Sequence, residues 1–402
     1  MSHQPEDMNE KGKHALVFGA SGLIGWAIID QLLSNYPSPG TFAKVTALVN
    51  RPLDIQDSFW PLEANRPLNV QGSPQQPELQ LVSGINLADG TVQSVTELLQ
   101  TKVKGIEHVT HVFYFVYKYE EKPEDEVRVV CGMLEHTVGA LNRLSPNLEF
   151  LVFPTGTKAY GIHVPGGVFE APYQESMGPL PDDYQKTLNY PFMRAVLEEA
   201  SAGKQWTWCD IRPDAVIGFV PNGSAFNLTA HWANYLSLYR LMEGADAQVP
   251  FPGSSACYHA LYNEASADII GKLAIWASLH PAEAGGGQIF NIADQAKPES
   301  MKDRWPRLAA YFGLQGVAPV EGKALKPSEY INRYQGEAGK LGVKSSPVWQ
   351  GEFLDSYGYY LDFDRQLSLE KVRQAGFAEE MDPNASWFRA FGRLKEARMI
   401  VG

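Results

Sequence analysis

The sequence predicts an α/β fold: a doubly wound parallel Rossmann sheet with a smaller, mainly helical C-terminal lobe. Three observations carry this. Short apolar runs alternate with helix-like segments through the first half of the chain, most of those runs are continuously apolar, and a glycine-rich turn joins the first run to the first helix. Strands that are apolar on both sides belong to a sheet covered on both faces. Strand–helix alternation is how such a sheet is assembled.

Taken in order, residues 14–18 read as the first strand and 22–33 as an amphipathic helix. Strands follow at 44–49 and 79–82, a helix at 92–100, a strand at 108–116, a long helix at 126–144 and a strand at 148–153. A helix over 189–201 and a strand over 207–211 complete the series. Past Pro213 the texture changes: residues 225–243 form an aromatic-rich helix, 250–253 a turn, and 288–292 a late strand that returns to the sheet. The expected organisation is a cofactor-binding Rossmann domain over 13–219, with the returning strand near 288–293, and a substrate-binding lobe over 220–402. Residues 1–12 read as a disordered tail.

Composition narrows the function. The 402 residues are 44% hydrophobic and 20% charged, an ordinary globular balance. With 34 basic against 46 acidic residues the net charge is −12, which repels phosphate backbones and anionic membranes. No nucleic-acid or membrane partner is expected. Cys131, Cys209 and Cys257 are scattered, with no CxxC or Cys/His cluster, so neither a disulfide framework nor a metal site is expected. The N-terminus lacks an apolar core for a signal peptide, and no run of about 18 apolar residues occurs. The expected compartment is cytoplasmic, which makes the sequons at Asn222, Asn227 and Asn384 irrelevant.

The strongest local motif is HALVFGASGLIGWAIIDQLL. Gly19, Gly22 and Gly25 stand between strand and helix, for a tight turn, a close backbone approach to pyrophosphate and close helix–strand packing. Free N–H groups at the helix start, around Ser21, Leu23 and Ile24, would bind phosphates. The second strand ends in Asn50 and Arg51, where an NAD-preferring domain usually carries an acid for the ribose hydroxyl. An arginine suits a 2′-phosphate, so NADP(H) is the expected cofactor. After the third strand, Asn86 and Leu87 are expected beside the adenine.

Short-chain dehydrogenases of the compact type place a lysine four residues after the catalytic tyrosine. Here Tyr190 is followed at that spacing by Arg194, whose pKa cannot be tuned downward. Another lysine, Lys158, lies in PTGTKAYG just after the fifth strand, at the edge where α/β folds bind ligands.

These segments resemble the progesterone 5β-reductase/iridoid synthase-like (PRISE) family of extended short-chain dehydrogenases/reductases, in its fungal-type branch. TGTKAY matches the family's TGxKxY, and the stretch from Leu188 to Glu199 resembles its NFYYxxED segment. THVFY, WTWCDIRPDAVIGF and VPFPG also match, and the likeness runs over about residues 14–400. The resemblance implies Lys158 and Tyr190 as the catalytic pair, converging beside the nicotinamide ring. There are departures: Pro191 follows the tyrosine, Arg194 replaces an acid, and Asn50 and Asn86 replace an arginine and an aspartate. Pro191 is compatible with a helix only in its first turn.

In this family hydride passes from NADPH to the β-carbon of an enone or enal. Tyr190 would hydrogen-bond the carbonyl oxygen, and the Lys158 ammonium would stabilise the charge. The resemblance also points to Pro213 and Ile217 as cofactor contacts, with Val116 and Thr155 as further ones. Tyr117 is the first residue after the fourth strand expected to face substrate, and Trp232 and Tyr235 share a helix face that is either core or pocket wall. The resemblance thus implies an NADPH-dependent ene-reductase acting on a hydrophobic secondary metabolite. A ketoreductase or dehydrogenase on the same scaffold, and a non-redox cyclase or NADP(H)-sensing protein, are the alternatives. Self-association into a homodimer is left open.

Overall fold

The computed structural model describes residues 12–62, 76–320, 325–344 and 351–402, so all but one residue of the expected N-terminal tail lies outside it. The chain opens with β1 (Lys13–Phe18), α1 (Leu23–Leu33), β2 (Phe42–Leu48), β3 (Glu78–Val82) and α2 (Val92–Lys102). β4 (His111–Tyr114), α3 (Pro123–Leu144), β5 (Phe150–Pro154), α4 (Asp182–Gln185), α5 (Tyr190–Ser201) and β6 (Thr207–Pro213) follow. Then come β7 (Val216–Ile217), α6 (Leu228–Glu243), β8 (Gln248–Pro250), α7 (Ser255–His259), β9 (Ala265–Ser266) and α8 (Ala267–Leu279). The chain closes with α9 (Pro281–Ala284), β10 (Gln288–Ile292), α10 (Met301–Tyr311), β11 (Gln315–Val317), α11 (Pro327–Lys340), α12 (Gly351–Leu354), α13 (Glu370–Gln374) and α14 (Pro383–Glu396).

Seven strands pair in parallel in the order β10-β6-β5-β4-β1-β2-β3. The order reverses between β1 and β4, and an open α/β sheet binds ligands in the crevice beyond the strand ends at that point. Side-chain alternation divides each strand between two cores. Ala15, Val17, Phe113, Val152 and Ile211 face α1 and α8, whereas Leu16, Phe18, Tyr114, Phe153 and Trp208 face α2, α3 and α5. The late strand β10 returns beside β6 as expected.

Three expectations change. The first helix is not amphipathic: Gly25 to Asp30 are all buried, because α8 covers the flank that a two-layer fold would leave wet. Gly271 of α8 lies where a Cβ would come 3.5 Å from the Ile28 backbone, which shows how closely the two helices approach. Residue 108 belongs not to a strand but to a 3-10 turn, Ile106–His108, set up by the left-handed Gly105. Finally, Trp232 and Tyr235 form core and not a pocket wall. They are 3% and 1% exposed; Trp232 stacks on Trp387 at 5.5 Å, and Tyr235 packs on Trp305 and Tyr330. Rings buried on every side have no face left for a ligand.

The remaining lobe is helical, stitched by two parallel two-stranded ladders, β7 with β9 and β8 with β11. Asn227 is 2% exposed and caps α6, its side chain accepting from the Ala230 N–H at 3.0 Å. Among the described residues no helix is long and apolar enough to cross a membrane.

Candidate active site

The glycine turn leaves β1 at the switch point. Gly19 has φ +76°, and a Cβ there would strike the Phe115 carbonyl at the end of β4. A Cβ at Gly25 would strike the Gly19 carbonyl, so the helix can approach the turn only without side chains at both positions. The Gly22 N–H closes the turn on the Gly19 carbonyl at 2.8 Å. Gly22 then stands as the helix N-cap with no side chain to bond the first-turn N–H groups. Ser21, Gly22, Leu23 and Ile24 are half-buried around this start. A backbone cradle with no room for Cβ atoms and with uncapped donors fits a dinucleotide pyrophosphate.

The rim beyond β2 and β3 is mixed. Asn50 and Arg51 are exposed where β2 ends, and the Asn50 carbonyl accepts from Gly84 at 3.1 Å. Asn86 is exposed too, its carboxamide tied to the Ala88 N–H and to Asp89. Leu87 is 4% exposed and packs into the core with Ile85 and Val95, so the expected side-chain contact with adenine is corrected to core packing. The Ile217 side chain is core, at 1% exposed. Val116 is half-buried just past β4.

Tyr190 opens α5, with Pro191 in the first turn where its missing N–H costs nothing. Its phenol reaches the C-terminal ends of β5 and β6. A Cβ at Gly156 would lie 3.2 Å from the phenol oxygen and 3.4 Å from the Pro213 carbonyl. Burial and the Asp210 carboxylate push the phenol pKa up, and the Arg212 guanidinium opposes them. Glu126 of α3 raises it further, and burial together with the same Glu126 raises the Tyr117 phenol.

Beneath Gly156 lies a buried polar group on the α5 side of the sheet. Thr155 donates to Asp210 Oδ1 at 2.5 Å and accepts from Arg212 Nε at 3.1 Å. Arg212 Nη2 reaches Asp210 Oδ2 at 3.2 Å. Arg194 donates to the same oxygen at 3.3 Å and to the Gly287 carbonyl at 2.9 Å. The Thr155 hydroxyl thus donates one bond and accepts one within the protein.

No hydrogen bond joins Lys158 to Tyr190 among the described residues. The lysine sits in the 3-10 turn Thr157–Tyr160, where residues three apart eclipse on one face. Thr157 and Tyr160 are anchored inward, by Asp214 at 2.7 Å and Asn291 at 2.6 Å. Lys158 is left on the opposite, exposed face, where its ammonium makes no hydrogen bond or ion pair among the described residues.

Sequence reasoning missed Gly156, Asp210 and Arg212. Only one signal pointed to the carboxylate, a charge set inside the apolar run WTWCDI. It also missed an aromatic cluster gathered from three distant segments. Tyr117 and Tyr119 meet Phe226 at 6.1 and 6.4 Å, and Phe226 meets Phe353 at 5.5 Å. Tyr117, Tyr119 and Phe353 are each nearly half exposed, so this apolar surface lies open beside the site.

Comparison with known proteins agrees with this architecture. The family model described as a PRISE-like Rossmann-fold domain matches residues 15–401. The short chain dehydrogenase ausT of Aspergillus calidoustus is 32% identical over 98% of this chain and 95% of its own. The 3-oxo-Delta(4,5)-steroid 5-beta-reductase of Arabidopsis thaliana is 26% identical over 96% of this chain and 92% of its own. Among solved structures, the UDP-glucuronic acid 4-epimerase of Bacillus cereus, in complex with NAD, superposes with a TM-score of 0.56. Its identity is 11%, over 96% of this chain and 99% of that one, a likeness of fold.

Proposed function

This chain belongs to the PRISE-like Rossmann-fold family and is an oxidoreductase of the extended short-chain dehydrogenase type; on that premise we propose that it uses NADPH to reduce an activated C=C bond in a hydrophobic small molecule. The observation that carries the reading is the Tyr190 phenol standing over Gly156 at the ends of β5 and β6. Burial and Asp210 keep that phenol protonated at neutral pH, so it can donate a hydrogen bond. An enone carbonyl oxygen gains negative charge as its β-carbon is reduced, and a donor already in place stabilises that charge.

The dinucleotide, when bound, supplies the hydride; Gly19, Gly22, Gly25 and the start of α1 would hold its phosphates, and Arg51 a 2′-phosphate. The exposed Lys158 ammonium is available to a ribose hydroxyl from the solvent side. Pro213, whose carbonyl faces the same space as the phenol, and Val116 would flank the ring. Tyr117, Tyr119, Phe226 and Phe353 would wall the substrate, an apolar surface suited to the carbon skeleton of a secondary metabolite. Kinship with a protein named as a 5-beta-reductase supports C=C over C=O reduction.

The test is product analysis with 2-cyclohexenone and NADPH deuterated at C4. Label on the β-carbon of the saturated ketone is expected. Label on a carbinol carbon would replace this reading with carbonyl reduction, and an unlabelled product would mean a non-redox step.

A further inference from the structure

We infer that residues 365–368, from the C-terminal lobe, form a strap that sets the place of the Lys158-bearing turn, with Thr157, Asp214 and Arg365 as its positioning residues. The inference rests on the reading of Lys158 as a group that serves the bound dinucleotide. The turn Thr157–Tyr160 carries that lysine on its exposed face, so the lysine's place depends on how the two inward residues are held. A 3-10 turn this short has weak internal hydrogen bonding, and its outside anchors decide where it lies.

Both anchors lead to the strap. The Thr157 hydroxyl donates to Asp214 Oδ1 at 2.7 Å, and Arg365 Nε donates to Asp214 Oδ2 at 3.0 Å. The Tyr160 hydroxyl donates to Asn291 Oδ1 at 2.6 Å, and the Asn291 amide donates on to the Ser368 carbonyl at 3.3 Å. The strap is itself fixed along its length. Tyr173 accepts from the Ser368 N–H and donates its own N–H to the Gln366 carbonyl, each at 2.8 Å. Asn263 accepts from the Leu367 N–H at 2.8 Å and donates to the Leu367 carbonyl at 3.2 Å. The Arg365 guanidinium lies over the Tyr262 ring at 4.2 Å. Thr157, Tyr160, Asp214, Asn291 and Arg365 are all buried. A carboxylate and a guanidinium taken out of water together are confined to their pairing, because parting them would leave a buried charge alone. The lobe that follows the Rossmann sheet thus reaches back to fix the backbone from which the lysine extends.

The test is NADPH affinity by calorimetry, read beside kcat/KM for NADPH with 2-cyclohexenone, with thermal melts to show that each variant is folded. Lys158→Ala is expected to weaken NADPH about tenfold, the worth of one charge-assisted hydrogen bond. Thr157→Val leaves the Asp214–Arg365 pair whole, and Arg365→Met removes its far end. Each is expected to weaken NADPH about three- to tenfold, and Thr157→Ser and Arg365→Lys to restore most of the loss. In a Lys158→Ala background neither Thr157→Val nor Arg365→Met should add more than about a twofold loss, because the group they place is gone. Additive losses in that background overturn the inference, since a merely structural strap would act whether or not the lysine is present. Parental affinity and kcat/KM in Thr157→Val overturn it as well. If Arg365→Met does not fold, the two Thr157 variants decide alone. The underlying reading fails separately: Lys158→Ala with parental affinity and kcat/KM removes the lysine from the cofactor's service, whatever the strap variants do.

Discussion

The phenol oxygen of Tyr190 and the Cα of Gly156 are so close that a methyl group on the glycine would stand 3.2 Å from that oxygen. Gly156 is extended, with φ 179°, so alanine suits the backbone and its only effect is to push on the phenol. Gly156→Ala is expected to lower kcat about 10- to 100-fold with the melting temperature nearly unchanged. Steady-state kinetics beside a thermal melt decides it. Parental kcat would mean that the place of the phenol is immaterial.

Tyr190 and Lys158 should separate kinetically, because the phenol is enclosed beside Gly156 and the lysine is exposed, with no hydrogen bond between them among the described residues. Tyr190→Phe removes the donor and is expected to lower kcat by about a hundredfold or more. Lys158→Ala is expected to raise the KM for NADPH and to leave kcat within a few-fold. Equal collapse of kcat in both variants would contradict the exposed setting of the lysine.

Arg51 is exposed just past the end of β2, and we propose that it reads the adenosine ribose, as residues at this place in a Rossmann domain do. Arg51→Ala is expected to weaken NADPH about 10- to 100-fold, the worth of a charge-assisted contact, and to leave NADH nearly unaffected. Calorimetry with both cofactors measures this. Matching affinities for NADPH and NADH in the parent protein would sink the assignment.

Trp232, stacked on Trp387 and 3% exposed, should behave as core. Trp232→Ala is expected to cost about 3–5 kcal/mol of stability. A denaturant midpoint at the parental value, with a raised KM for a hydrophobic enone, would return it to the substrate wall.

Asp294 is 0% exposed, and burial pushes its carboxyl from 3.8 up to about 6, although Ser266 hydrogen bonds pull it down in part. Between these values the folded chain holds a proton that the unfolded chain has lost. Its contribution to stability is therefore full below the lower value and lost as pH rises through the upper one. Asp294→Asn should remove that slope, so the variant gains on the parent from pH 4 to 7 by about 2–3 kcal/mol. Urea unfolding across this range checks it, and parallel curves would refute it.

Much of this was legible in one dimension. Continuous apolar runs, turn glycines and the late strand at 288–292 are local patterns, and each reports its own burial or backbone conformation directly. Tyr190 at a helix start and Pro191 in its first turn were legible for the same reason. The outward turn of Lys158 was not, since it follows from which neighbours in a 3-10 turn find buried partners at Asp214 and Asn291. Nor was the buried flank of α1, which depends on a helix more than two hundred residues later. The shared face of Trp232 and Tyr235 was equally mute, because a helical stripe has the same period whether it meets a core or a ligand.

The sequence by itself determined the sheet, the glycine turn and the helix start at Tyr190, because these rest on backbone geometry and on residues close together in the chain. The tertiary structure alone decided which charges gather around Asp210. Asp210 and Arg212 lie on β6 and Arg194 on α5, and only the stacking of that helix on the strand brings the third charge within a few ångströms of the other two, the range over which electrostatics selects a partner.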